Sequence, residues 1–188
     1  MPVAAREVAA CEFAADSPSQ SILATIEVRH QDGEIRLAFR RCFETHLGLR
    51  LRASEVRRCF SRLRIKPMPR WIEADQELVL LGHDLASLHT SMFPRLAKEL
   101  SRIAWRPLTP RLVAIALNIS GTERLRWTKD GRLRPAGAVR IQQGQVISMP
   151  TYSIENIDEL ASHPEIIARW RQQDADTWQG PHPAASST

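Results

Sequence analysis

The stretch ILATIEVRH–QDGE–IRLAF, residues 22 to 39, constrains the fold more than any other part of the chain. β-Branched and other apolar residues alternate with polar ones on both sides of an Asp32-Gly33 turn. Period-two alternation about such a dipeptide predicts an antiparallel hairpin with one buried and one wet face. Later segments mix hairpins and helices without βαβ alternation, so the expected class is α+β.

At 188 residues with 43% hydrophobic content, the chain is long enough for one core. The predicted organisation is an N-terminal arm over 1–20, a single α+β domain over 21–174, and a flexible tail over 175–188. No run of 18 apolar residues occurs, so no membrane span is expected. The N-terminus lacks the basic start and apolar block of a signal peptide. Cys11, Cys42 and Cys59 are odd in number and show no CxxC spacing, which favours neither a disulfide framework nor zinc and suits a reducing cytoplasm.

Charge is unevenly distributed within the net +5. Residues 29–70 hold eleven arginines and one lysine against four acids, and 101–140 hold nine bases against two. The intervening stretch and the segment 153–178 are acidic. Arginine's planar fork suits phosphate, so two arginine-rich blocks point to a polyanionic partner, DNA first.

Between the basic blocks the sequence is punctuated. Ser54 is placed to cap a helix burying Val56, Phe60 and Leu63, with Arg58 and Arg62 on its wet face. Pro67 and Pro69 end that helix. RWIEA and ELVLL follow as short strands. Leu85, Leu88, Met92, Leu96, Leu100 and Ile103 then recur at helical spacing, with Pro94 kinking the helix or starting a new one. Thr109-Pro110 opens a buried helix over LVAIALNI that ends near Gly121. RLRWTKDGRLRP and AVRIQQGQVISM read as two more hairpins, turning at Asp130-Gly131 and Gln143-Gly144. Residues 156–173 read as helical, with a fresh capping box at Ser162-x-Pro164-Glu165.

Chemistry is best sought at Gly82-His83-Asp84, where a strand meets a helix. Backbone N–H groups and a helix dipole at such a junction favour an anion. His83 is able to donate to a phosphate oxygen or to act as a general acid or base. Asp84 is able to cap the helix, bind a divalent cation or orient His83. On these three residues alone, a turn with Asp84 as N-cap is the simpler reading.

The order of elements in ASEVRRCFSRLRIKPMPRWIEADQELVLLGHDLASLH resembles the core of the ParB/sulfiredoxin fold. There a helix leads through an I-x-P segment and a short hairpin to an apolar strand and a glycine-led phosphate turn. The resemblance covers residues 22–100. ParB-type turns carry Gly-Glu-Arg-Arg and sulfiredoxins Gly-Cys-His-Arg, whereas this chain has His83, Asp84 and Leu85 after Gly82. The phosphate-gripping arginine and the reductase cysteine are therefore both absent. In length, charge and cytoplasmic character the chain is similar to the plasmid fertility-inhibition proteins of the oncogenic-suppression (Osa) type.

That resemblance implies an ATP-hydrolysing DNase that blocks conjugative or T-DNA transfer through a type IV secretion system, with ATP and Mg²⁺ as cofactors. It assigns catalysis to His83 and Asp84 and nucleotide binding to Gly82, His83 and Arg70. Glu73, Asp75 and Glu77 become Mg²⁺ ligands, with solvent-facing strand positions as the plainer reading of Glu73 and Glu77. Arg57, Arg58 and Arg62 become DNA contacts. Beyond the stretch the resemblance covers, Arg124, Arg126, Lys129 and Arg132 around Trp127 read as DNA contacts on an expected basic hairpin. A core Trp127 with wet arginines explains the second cluster equally well. Two rivals need no catalysis: a DNA-binding regulator using the same arginines, and an interaction protein that jams a secretion or coupling factor.

Overall fold

The computed structural model describes residues 18–31, 33–63, 65–143 and 145–178. Most of the expected arm, the end of the tail, Cys11, Asp32 and Gly144 lie outside them. The class is α+β. A single domain over 21–174 was expected, but the contacts divide the chain into two compact units, Met1–Arg106 and Pro107–Thr188.

The first unit is built on the predicted hairpin. β1 (Glu27–Gln31) and β2 (Glu34–Ala38) pair antiparallel, with Gly33 at φ +75 in the turn. Ile22 and Leu23 belong instead to a short helix, α1 (Pro18–Leu23). β3 (Arg70–Ile72) and β4 (Glu77–Leu81) complete a sheet of order β1-β2-β4-β3. Register sorts the two faces. Val28, Leu37, Leu78 and Trp71 form one row, and Ile35 pairs with Leu80 beside it. The other face carries the row Arg29, Arg36, Val79 and Arg70.

The apolar face is covered by helices. α2 (Arg40–Thr45), α3 (Leu47–Leu51) and α4 (Ala53–Arg62) follow β2, and α5 (Leu85–Ser91) and α6 (Phe93–Ala104) follow β4. Pro94 starts a helix here, standing in the first turn of α6, because its missing N–H is harmless there. α4 begins at Ala53 with no side-chain cap, one residue before Ser54. The buried Arg52 fixes the chain at that point by donating to the carbonyls of Ile103 (3.1 Å) and Arg106 (2.9 Å) at the end of α6. α3 and α6 approach so closely that a Cβ on Gly48 would lie 2.0 Å from the Ala104 carbonyl oxygen.

The second unit holds α7 (Pro110–Leu117), α8 (Gly121–Lys129), the hairpin β5 (Gly137–Gln143) and β6 (Gln145–Thr151), α9 (Ile154–Ser162) and α10 (Pro164–Trp178). Two expectations are corrected. α7 is not buried all round, since Ile115 is exposed, and it stops at Asn118 in the left-handed region. The segment read as an arginine-rich hairpin at 124–135 is not one: residues 124–129 belong to α8, and the chain leaves the helix at Asp130. Ser120 accepts from the Glu123 N–H while the Glu123 carboxylate accepts from the Ser120 N–H, a reciprocal cap that starts a helix. Trp127 is fully buried, its ring 5.1 Å edge-on from Trp170.

Candidate nucleic-acid interface

β4 is apolar and buried through Leu80, and the chain leaves it through Gly82 at φ +66, a conformation glycine adopts without steric cost. His83 and Asp84 then lead into α5. The Asp84 carboxylate accepts from the Ser87 N–H at 2.7 Å, so Asp84 is the N-cap. The donor that an anion would use is thus already held by a fixed negative charge, which repels a second. His83 is half-buried, and its Nε2 is enclosed with no hydrogen-bond partner among the described residues.

Glu73, Asp75 and Glu77 lie toward the opposite end of β4. Glu77 to Leu81 spans roughly 13 Å of extended chain before the Gly82 turn begins. The three carboxylates also diverge. Glu73 accepts from the Trp71 indole at 2.9 Å and from Arg57. Glu77 is buried between Arg29 Nη1 (3.2 Å) and Arg36 Nη1 (3.5 Å). Asp75 is exposed at the rim of a cleft of about 240 Å³ that Glu27, Glu77, Arg29, Arg40 and Arg41 also line. Among the described residues, no three His, Cys, Asp or Glu side chains come together to hold a metal ion.

The arginines divide by unit. In the second, Arg124 donates to the Tyr152 hydroxyl at 3.1 Å, and Asp174 receives Arg126 (2.8 Å), Arg132 (2.6 Å) and the Trp127 indole (2.9 Å). Arg132 also lies over the Trp127 ring, 5.6 Å from its centroid. In α8, Arg124 and Arg126 stand about 200° apart around the axis, so they cannot form the basic face an ideal strand would give them. Of the four contacts expected here, Lys129 is exposed without an acidic partner among the described residues.

In the first unit, α4 buries Val56, Cys59 and Phe60 and turns Ser54, Arg57, Arg58, Ser61 and Arg62 outward. Arg57 is tied to Glu73. Arg58 and Arg62, one turn and about 6 Å apart along the axis, have no carboxylate partner among the described residues. Lys66 and Arg70 beyond the helix are likewise exposed and unpaired with acids. Arg70 shares its row with Arg36 on the charged face of the sheet and sits three residues along the ladder from Gly82. Among the described residues, no hydrogen bond or ion pair joins Arg57, Arg58, Arg62 or Arg70 to the Gly82 turn. Lys66 was missed in the sequence, although its place between a basic helix and Arg70 marks it.

Burial pushes the Cys42 and Cys59 thiols up to about 11 and 12, so neither is a nucleophile near neutrality. No described helix is long and apolar enough to cross a membrane. No family model, curated protein or solved structure matches the chain.

Proposed function

We propose that this chain is a DNA-binding protein whose phosphate contacts come from the outer face of α4, and that it acts by occupying DNA without cutting it. The observation that carries this reading is the pair Arg58 and Arg62. Both are exposed on one face and unpaired with acids, while Arg124, Arg126 and Arg132 are held by partners within their own unit. Unpaired surface arginines release counterions from DNA without first breaking an internal ion pair. The resemblance to the ParB/sulfiredoxin fold and to Osa-type proteins supplies the setting: a fertility-inhibition factor that restrains conjugative or T-DNA transfer through a type IV secretion system.

One observation favours a second reading, an ATP- and Mg²⁺-dependent DNase centred on Gly82 and His83. The enclosed, partnerless Nε2 of His83 is what a nitrogen reserved for a substrate looks like. Against it stand the capping role of Asp84 and the distance of Glu73, Asp75 and Glu77 from the turn.

Purified protein titrated into labelled DNA over a range of salt, and incubated with linear DNA and Mg²⁺ with and without ATP, separates these readings. Intact, shifted DNA is expected. R58A/R62A is expected to weaken binding and flatten the log–log salt slope by about 2. Degradation that H83A abolishes moves the function to the DNase reading. Neither binding nor cutting leaves inhibition by protein contact.

A further inference from the structure

A small apolar hollow opens beside the basic face of α4. Phe60 and Ser61 of α4, with Ile65, Lys66, Met68 and Pro69 of the following loop, line about 300 Å³. Met68 is 77% exposed, the most exposed large apolar side chain among those described. It stands between Pro67 and Pro69, with Lys66 and Arg70 outside them, and no acid lines the hollow. Phe60, which lines the hollow, stacks on Trp71 with centroids 5.7 Å apart and planes 22° apart, so the ring at the hollow's inner wall is braced by a second aromatic.

We infer that this hollow receives one unstacked nucleobase of single-stranded DNA, with the flanking phosphates on Arg62 and Lys66. The inference rests on the reading of α4 as a DNA-binding face and specifies which DNA that face takes. Four features select the occupant. Cations without acids around an apolar hollow complement a flat apolar ring carried on an anionic backbone. Prolines at 67 and 69 remove two backbone N–H groups from the rim, so an extended peptide finds few main-chain donors there. A thioether is polarizable and packs well against the edge of an aromatic ring. About 300 Å³, roughly the liquid volume of ten waters, suits a single base and is too small for a base pair.

The experiment compares three labelled probes of equal length against the full chain by fluorescence anisotropy: a single strand, its duplex, and the same sugar-phosphate chain with every base removed. The single strand is expected to bind at least about fivefold more tightly than the abasic chain, the low end of stacking one base. M68A, changing an exposed loop residue, is expected to remove most of that advantage and leave duplex affinity within twofold. Equal binding of abasic and normal strands, or an M68A variant that keeps the full advantage, overturns this inference while α4 still binds phosphates. If no probe binds, it falls together with the proposed function.

Discussion

Asp84 shows how one side chain decides between two readings of a turn. Its carboxylate is 2.7 Å from the Ser87 N–H, the geometry of an N-cap, and it is exposed. A cap is worth about 1 kcal/mol, and its loss leaves the α5 N–H groups to water. D84A is therefore expected to lower stability by about 1 kcal/mol in urea melts and to leave DNA affinity unchanged within twofold. A catalytic role predicts the reverse, loss of turnover with little change in the melt. Removing a negative charge from a true phosphate turn would even tighten binding, so an increase in nucleotide affinity in D84A would return the turn to the mechanism. The capping role was legible in Gly82-His83-Asp84. That Arg57 pairs with Glu73 was not, because that partnership depends on the tertiary structure.

Among elements, α8 is the instructive case. Asp130-Gly131 repeats the Asp-Gly dipeptide that precedes β2, and alternating Arg124, Arg126 and Arg132 completes a strand-like pattern. The reciprocal cap of Ser120 and Glu123, spaced three apart, prevails, and with it a helical period that buries Trp127. That spacing was present in the sequence and marks a helix start; the Asp-Gly turn outweighed it. The β1–β2 and β5–β6 hairpins, β3, β4 and the break before α10 were legible because each rests on local chemistry. The pairing of Glu77 with Arg29 and Arg36 was not, since three strands must align before those side chains meet. α8 also carries a pH signature. The hydrogen bond from Arg171, with Ser120, holds the Glu123 carboxyl at about 2, below its ordinary 4.5, despite partial burial. Its contribution to stability is therefore complete above about 4.5 and is lost as pH falls toward 2. E123Q is expected to flatten the fall in melting temperature between pH 5 and 2.5, followed by the near-ultraviolet dichroism of Trp127 and Trp170. An unchanged pH slope would show that the Arg171 pair is not formed in solution.

At the scale of the whole molecule, net charge and available charge are different quantities. Met1–Arg106 sums to +4 and Pro107–Thr188 to +1, so the second basic block of the sequence is nearly neutralised once its own acids are counted. Structure sharpens the asymmetry, because Arg126, Arg132 and Arg171 are each bound to a carboxylate of that unit. An arginine must leave its carboxylate before it grips a phosphate, and the exchange returns little net free energy. DNA affinity is therefore expected to reside in the first unit. A chain ending at Pro107 keeps the Arg106 carbonyl that Arg52 uses and excludes Leu108, which pairs with Tyr152 in the second unit. That fragment has its own core from Ile22 to Ala104, and it is expected to bind DNA with the salt slope of the full chain within about one unit. The check is a pair of anisotropy titrations over 50–200 mM salt, after the fragment's helical dichroism shows that it folds. A folded fragment whose slope falls by three or more would move the phosphate contacts to Lys129, Arg134 and Arg140. The loss would then be three counterions or more, which Arg58, Arg62 and Lys66 cannot explain because the fragment retains them all.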